Sequence, residues 1–146
     1  MIYLQIHITF FALNTPQVFV EIGGIAVERY GSTLEEEQEV LSILANMMIN
    51  IFAMESAYLR AQKRIAKGLD QSDEQPAGIM TTIFIQETME RLDYDARQAL
   101  LSMEKGDALQ VQLSIIKKLM RAPLTNTIAL KRQIAAKVIH SEQYIV

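Results

Sequence analysis

Along Thr33–Lys67 apolar side chains return every three to four positions, at Val40, Leu41, Leu44, Met47, Met48, Ile51, Met54, Tyr58 and Leu59. That spacing gathers them on one face of a helix and excludes the two-residue alternation of a strand. At 1.5 Å of rise per residue the predicted helix is about 50 Å long. Its ends carry matching signals. Thr33 stands at an N-cap with Glu36 at capping-box spacing, and Glu35, Glu36 and Glu37 put negative charge where the helix dipole is positive. Lys63, Arg64 and Lys67 fill the last turn, and Gly68 follows as a C′ residue.

The same periodicity predicts further helices. Gln17–Tyr30 is a short one with Val18, Ile22, Ile25 and Ala26 on one side, weakened by Gly23-Gly24 and stopped by Gly31. After the polar stretch LDQSDEQ, with Ser72 or Asp73 as cap, a long helix runs from Pro76 to Lys105. Its apolar face includes Ile79, Met80, Ile83, Phe84, Met89, Leu92, Ala96, Ala99, Leu100 and Met103. Gly106 stops it and Asp107 caps the next, whose face is Val111, Ile115, Ile116, Leu119 and Met120, ending at Pro123. Thr125 or Asn126 caps a last helix carrying Ile128, Leu130, Ile134, Ala135, Val138 and Ile139. Short connections set sequence neighbours antiparallel. The expected fold class is therefore all-α, an up-down bundle of about four helices, two long and two shorter.

Residues 1–16 read differently. Ile2, Leu4, Ile6, Ile8 and Phe10 alternate with Tyr3, Gln5, His7 and Thr9 before Asn14-Thr15-Pro16, which is a strand pattern with a stop. The expected division is an extended leader, 1–16, and one helical domain, 17–146. A lone strand has three open destinies: pairing with its copy in another subunit, packing as an arm, or being a non-native leader.

Composition sharpens this picture at a few points. A chain of 146 residues, 50% hydrophobic, suits one domain with a sizeable core. Eight Met and no Trp favour aliphatic and thioether packing, and the Met residues at helical spacing are read as core before they are read as a partner groove. With no Cys, disulfides and thiolate metal sites are excluded. A net charge of −3 argues against nucleic acid as a partner. The charge is uneven: from Asp107 onward six Lys and Arg face two carboxylates. That asymmetry fits attraction between helices or one face meeting a charged partner. No stretch holds the roughly 18–20 uninterrupted apolar residues of a membrane span, and no signal peptide is recognisable. The expected location is the cytoplasm, with peripheral contact to a membrane as the variant.

Candidate chemistry is sparse. A di-iron bundle needs Glu-x-x-His, but His140 follows Lys137 and His7 follows Leu4 at that spacing, so no metal set is assigned. Gly23-Gly24 lacks the context of a phosphate loop and no Ser sits in a nucleophile elbow. Glu55 lies close to the apolar stripe of the central helix, between Ile51 and Leu59. It is expected to be a buried structural carboxylate paired with Arg91, Arg97 or Arg132, in preference to a general base. Lys117, Lys118 and Arg121 end an apolar helix in the manner of an interfacial segment, a docking candidate weighed against simple core packing.

Several of these stretches together resemble a known family. EVLSILANMMINIFAMESAYLRAQKRI resembles the helix that opens the extra C-terminal domain of very-long-chain-type acyl-CoA dehydrogenases, where a run of the form LA…I…YAMES…R occurs. TIFIQETMERLDYDARQALLSMEKGD and LTNTIALKRQIAAKVIHSEQYIV are similar to the last helices of bacterial members. The resemblance covers roughly Gln17 to Val146. It implies descent from enzymes that oxidise fatty acyl-CoA thioesters with FAD and a Glu base, whose active site lies in domains not found in this sequence. No catalytic or cofactor-binding residue carries over, so FAD belongs to the parent family and none is expected in this chain. The family associates this helical domain with dimer architecture and, in mitochondrial members, membrane attachment. The implied partners are a second copy or the missing catalytic domains, with a membrane surface as a further one. Residues 1–16 depart from the family pattern, as a truncated gene product or an engineered domain with a foreign leader would. The expectation is a non-catalytic domain for assembly or docking. A free-standing helical interaction module is the alternative, and an active enzyme the third reading.

Overall fold

A computed structural model describes the backbone of residues 2–68, 76–121 and 123–142, with side chains from Asn14 onward. The order of elements is α1 (Ile2–Tyr30), a 3₁₀ turn (Gly31–Glu36), α2 (Gln38–Ala66), α3 (Pro76–Met103), α4 (Gly106–Leu119) and α5 (Thr127–Ser141). No strand occurs among the described residues, and the expected all-α bundle forms. The expected cap at Ser72 or Asp73 and the tail after Glu142 lie outside the described residues.

The strand expected over 1–16 is corrected. Ile2 to Pro16 continue as helix into the segment anticipated at Gln17–Tyr30, so one helix of 29 residues replaces a strand and a short helix. The alternation breaks down at Phe10-Phe11-Ala12-Leu13, where four apolar residues follow one another. A helix also satisfies its own backbone groups, whereas a single strand leaves them unpaired. Pro16 lies inside the helix and removes one donor from its ladder. The apolar side foreseen for this segment is the buried one: Val18, Ile22, Ile25 and Ala26 all enter the core.

The helix boundaries differ from expectation at the start of α2. Gly31 takes φ +53°, which ends α1 and opens a 3₁₀ turn. Thr33 does not cap α2; its hydroxyl donates to the Tyr30 carbonyl at 2.8 Å, closing the end of α1 instead. Glu37 occupies the N-cap of α2 without a side-chain capping bond. Elsewhere the signals hold. Gly68 adopts φ +65° after α2, and Asn126 Oδ1 accepts from the Ala129 amide at 3.0 Å to cap α5. Asp107 lies in the first turn of α4 rather than at its cap.

α3 is the most heavily packed helix. It packs against α1, α2, α4 and α5, while α2 meets only α1, α3 and the 3₁₀ turn, and α5 meets only α3. Fourteen α3 residues are buried against four on α2. Along α3 the buried positions Gly78, Thr82, Ile85, Met89, Leu92, Ala96, Ala99 and Met103 alternate in steps of four and three, the seam of knobs-into-holes packing. Ala77, Thr81 and Thr88 widen the buried arc, and Thr82 Oγ1 returns its proton to the Gly78 carbonyl at 2.9 Å. On α2 the buried residues Val40, Met47, Met54 and Ala61 repeat every seven positions, a seam one residue wide. α5 buries no residue and is tied to α3 in part by the ion pair Lys131–Glu87.

Truncating the α3 seam should therefore cost far more than truncating α5. Leu92→Ala is expected to lower stability by about 2–5 kcal/mol, and Ile139→Ala, at a residue 77% exposed, by no more than about 0.5 kcal/mol. Denaturant unfolding followed by circular dichroism checks both.

Candidate functional site

A cleft lies between α3 and the end of α4. It has a volume of ≈ 840 Å³. On the α3 side, Gln86, Glu90, Asp93 and Arg97 follow one another at helical spacing beside the buried seam. The α4 side supplies Ser114, Lys117, Lys118 and Arg121, with Met89, Met120 and Leu124 as apolar lining. The three cations singled out in the sequence are thus brought together on one edge. All three are exposed. They sit where α4 ends, and the negative end of the helix dipole favours cations there. Four cationic and two acidic side chains line the cleft, and one pair, Arg97 with Asp93, forms an ion pair within α3. The field left over is positive and concentrated at the α4 edge. Leu124, beside it, is 92% exposed.

A smaller cleft of ≈ 380 Å³ lies between α2 and α3, lined by Asn46, Asn50, Glu90, Arg91, Tyr94 and Asp95. Burial raises the Asp95 carboxyl above the ordinary carboxylate range. Among the described residues no three His, Cys, Asp or Glu are grouped to hold a metal.

Glu55 is corrected. It is exposed, and no ion pair to it is found among the described residues. It follows buried Met54 by one residue, a turn of about 100° that carries it out of the seam and toward solvent. Arg97, one of its expected partners, is committed to Asp93 instead. The α3 side of the larger cleft was missed by sequence reasoning. The signal present was the polar stripe 86, 90, 93, 97 flanking an apolar one, and it gains meaning only when α4 is placed against it.

Residues 14–118 match the family described as acyl-CoA dehydrogenase, C-terminal domain. The chain belongs to the acyl-CoA dehydrogenase family, as a C-terminal domain. A protein of Bacillus subtilis (strain 168) described as a probable acyl-CoA dehydrogenase is 38% identical over 124 residues, covering 84% of this chain and 20% of that protein. The crystal structure of an acyl-CoA dehydrogenase complexed with FAD from Bacillus anthracis superposes with a TM-score of 0.86 at 35% identity. It covers 94% of this chain, which spans 24% of the solved one. The resemblance carried by the central helix and the last helices is borne out at the level of the family.

The Asp95 shift gives a pH dependence with a defined sign. A carboxyl raised in the folded state favours the protonated form, so its contribution is present below the unfolded value of about 3.9 and is lost as pH rises through the folded value. Asp95→Asn removes that loss. The variant should melt at a slightly higher temperature than the unaltered chain at pH 7, and the difference should vanish as pH falls toward 3, read by thermal melts across that range.

Proposed function

We propose that this chain is the non-catalytic C-terminal domain of an FAD-dependent acyl-CoA dehydrogenase of fatty-acid β-oxidation, and that it docks the enzyme on an anionic membrane surface from the cytoplasmic side. This C-terminal domain is not the part that carries the acyl-CoA chemistry. It spans 20% of its Bacillus subtilis relative and 24% of the FAD-bound structure, and a domain of that size contributes by what it packs against.

The flavin test on this chain's own residues supports the division of labour. A flavin ring needs an apolar, water-excluding slot with a few directed polar groups. The ≈ 840 Å³ cleft has charged walls on both helices and three apolar lining residues, so its side chains do not fit the ring system. In an acyl-CoA dehydrogenase the bound flavin accepts the hydride; no step of that transfer is assigned to a residue here.

The observation that carries the docking role is Leu124, 92% exposed, beside Lys117, Lys118 and Arg121 at the end of α4. An exposed apolar anchor flanked by cations is the chemistry that recognises anionic headgroups. Each cation near such a surface contributes about 1 kcal/mol, and three together about a hundredfold in partitioning. Glu90 and Asp93 on the α3 wall oppose part of that attraction.

Two measurements test this reading. In flotation with vesicles containing phosphatidylserine, the chain should rise with the lipid at low salt. Lys117→Glu combined with Lys118→Glu should leave it at the bottom, and an unaltered chain that never floats overturns the docking role. Titration with FAD should leave the flavin spectrum and fluorescence unchanged; stoichiometric flavin held by the purified chain overturns the non-catalytic assignment.

A further inference from the structure

The cleft between α3 and α4 has a second wall that an anionic surface does not use. Gln86, Glu90 and Asp93 stand on it. Gln86 is 5% exposed, and the part of it left open lines the cleft. Among the described residues its amide has no hydrogen-bond partner, although it offers two donors and an acceptor. Buried Thr82, one turn earlier on α3, satisfies itself on the Gly78 carbonyl at 2.9 Å. An enclosed amide without such a bond is costly, and a polar group bound in the cleft would recover that cost.

The other polar groups sort into two chemistries. Lys117, Lys118 and Arg121 are cationic donors, and no ion pair to any of them is found among the described residues. Across from them the groups accept. Asp93 is held by Arg97, so Glu90 is the carboxylate left free. The Ser114 hydroxyl gives its proton to the Gln110 carbonyl at 2.8 Å, so toward the cleft it accepts as well. One free carboxylate among neutral acceptors suits hydroxyl donors better than an ammonium group. A ligand that meets both walls therefore carries negative charge at one end and hydroxyls along the rest. A bare anion would satisfy the α4 edge and be repelled by Glu90. A phosphate monoester carries about −1.5 to −2 charge near pH 7, which matches three cations, and the Arg121 fork can take two of its oxygens. Met89 and Met120 line the space between, and thioethers pack against skeletons of many shapes. The volume of ≈ 840 Å³ falls inside the range of small-molecule sites, about 300–1,000 Å³.

We propose that the α3–α4 cleft binds a soluble phosphate monoester of a polyhydroxylated skeleton, the chemistry of a sugar phosphate, with its phosphate at Lys117, Lys118 and Arg121 and its hydroxyls at Gln86, Glu90 and Ser114. This inference goes beyond membrane docking. It shares the cations of that surface and adds the α3 wall, so a seated ligand competes with lipid for the same charges.

Chemical-shift titration of the full chain with two probes of similar charge, ribose 5-phosphate and inorganic phosphate, tests it. Ribose 5-phosphate should bind about tenfold more tightly, with the Gln86 side-chain amide among the shifted signals. Gln86→Met keeps the volume and removes the amide. It should weaken ribose 5-phosphate about tenfold, the loss of one or two hydrogen bonds, and leave inorganic phosphate as it was. Glu90→Ala removes an acceptor and a repelling charge together. It should therefore weaken ribose 5-phosphate and tighten inorganic phosphate. Equal affinity for the two probes, or Glu90→Ala tightening both, overturns the proposal. So does binding confined to vesicles containing phosphatidylserine, with neither soluble probe shifting a signal. A chain that binds ribose 5-phosphate in this way without floating on those vesicles upholds this inference and overturns docking alone.

Discussion

α3 is packed on by four other helices of its own chain, and the rest of the bundle is arranged around that burial. Its alternating seam from Gly78 to Met103 needs partners on more than one side, and α1, α2, α4 and α5 each supply one. The residues in the seam explain how so many helices reach it. Gly78, Ala96 and Ala99 have little or no side chain and let neighbouring backbones come close, while Leu92, Leu100 and Met103 fill the wider gaps. Thr81, Thr82, Gln86 and Thr88 are buried as well, beside an exposed stripe through Met80, Phe84, Tyr94 and Leu101.

The outer helices are consequently half-finished surfaces. α2 spends a seam one residue wide on the core and leaves a longer stripe uncovered. α4 contributes fully buried Ile116 and then ends in cations at the mouth of a cleft. α5 rests on α3 alone. A domain with one heavily buried helix and several lightly buried ones is suited to joining other surfaces. Its place as a C-terminal domain in the acyl-CoA dehydrogenase family fits that physical character, because in the relatives it accounts for 20% and 24% of the chain.

Much of this was legible in the sequence, because local signals and packing agree over most of the chain. The face Val18, Ile22, Ile25, Ala26, the C′ residue Gly68 and the cap Asn126 were each readable from spacing or residue type. The centre of the fold was not. α2 has the more apolar pattern, and periodicity cannot distinguish a stripe that packs inward from one that awaits a partner. Leu92 and Phe52 look equally hydrophobic in sequence, yet one is buried and the other exposed. α3 was disguised by its threonines and alanines, whose burial depends on close approach from several sides. Thr33 and Glu55 failed for local reasons: a 3₁₀ turn displaced the helix start by four residues, and a step of one residue swung the carboxylate to solvent. The leader misled because alternation over five apolar residues outweighed the continuous run that followed.

Amide hydrogen exchange resolved by segment tests the central claim most directly, because it ranks the helices by the free energy needed to open them. The account predicts that Ile85–Met103 in α3 exchanges last, only through global unfolding, with α5 opening first and α2 between them. Slower exchange in α2 or α5 than in α3 would contradict it.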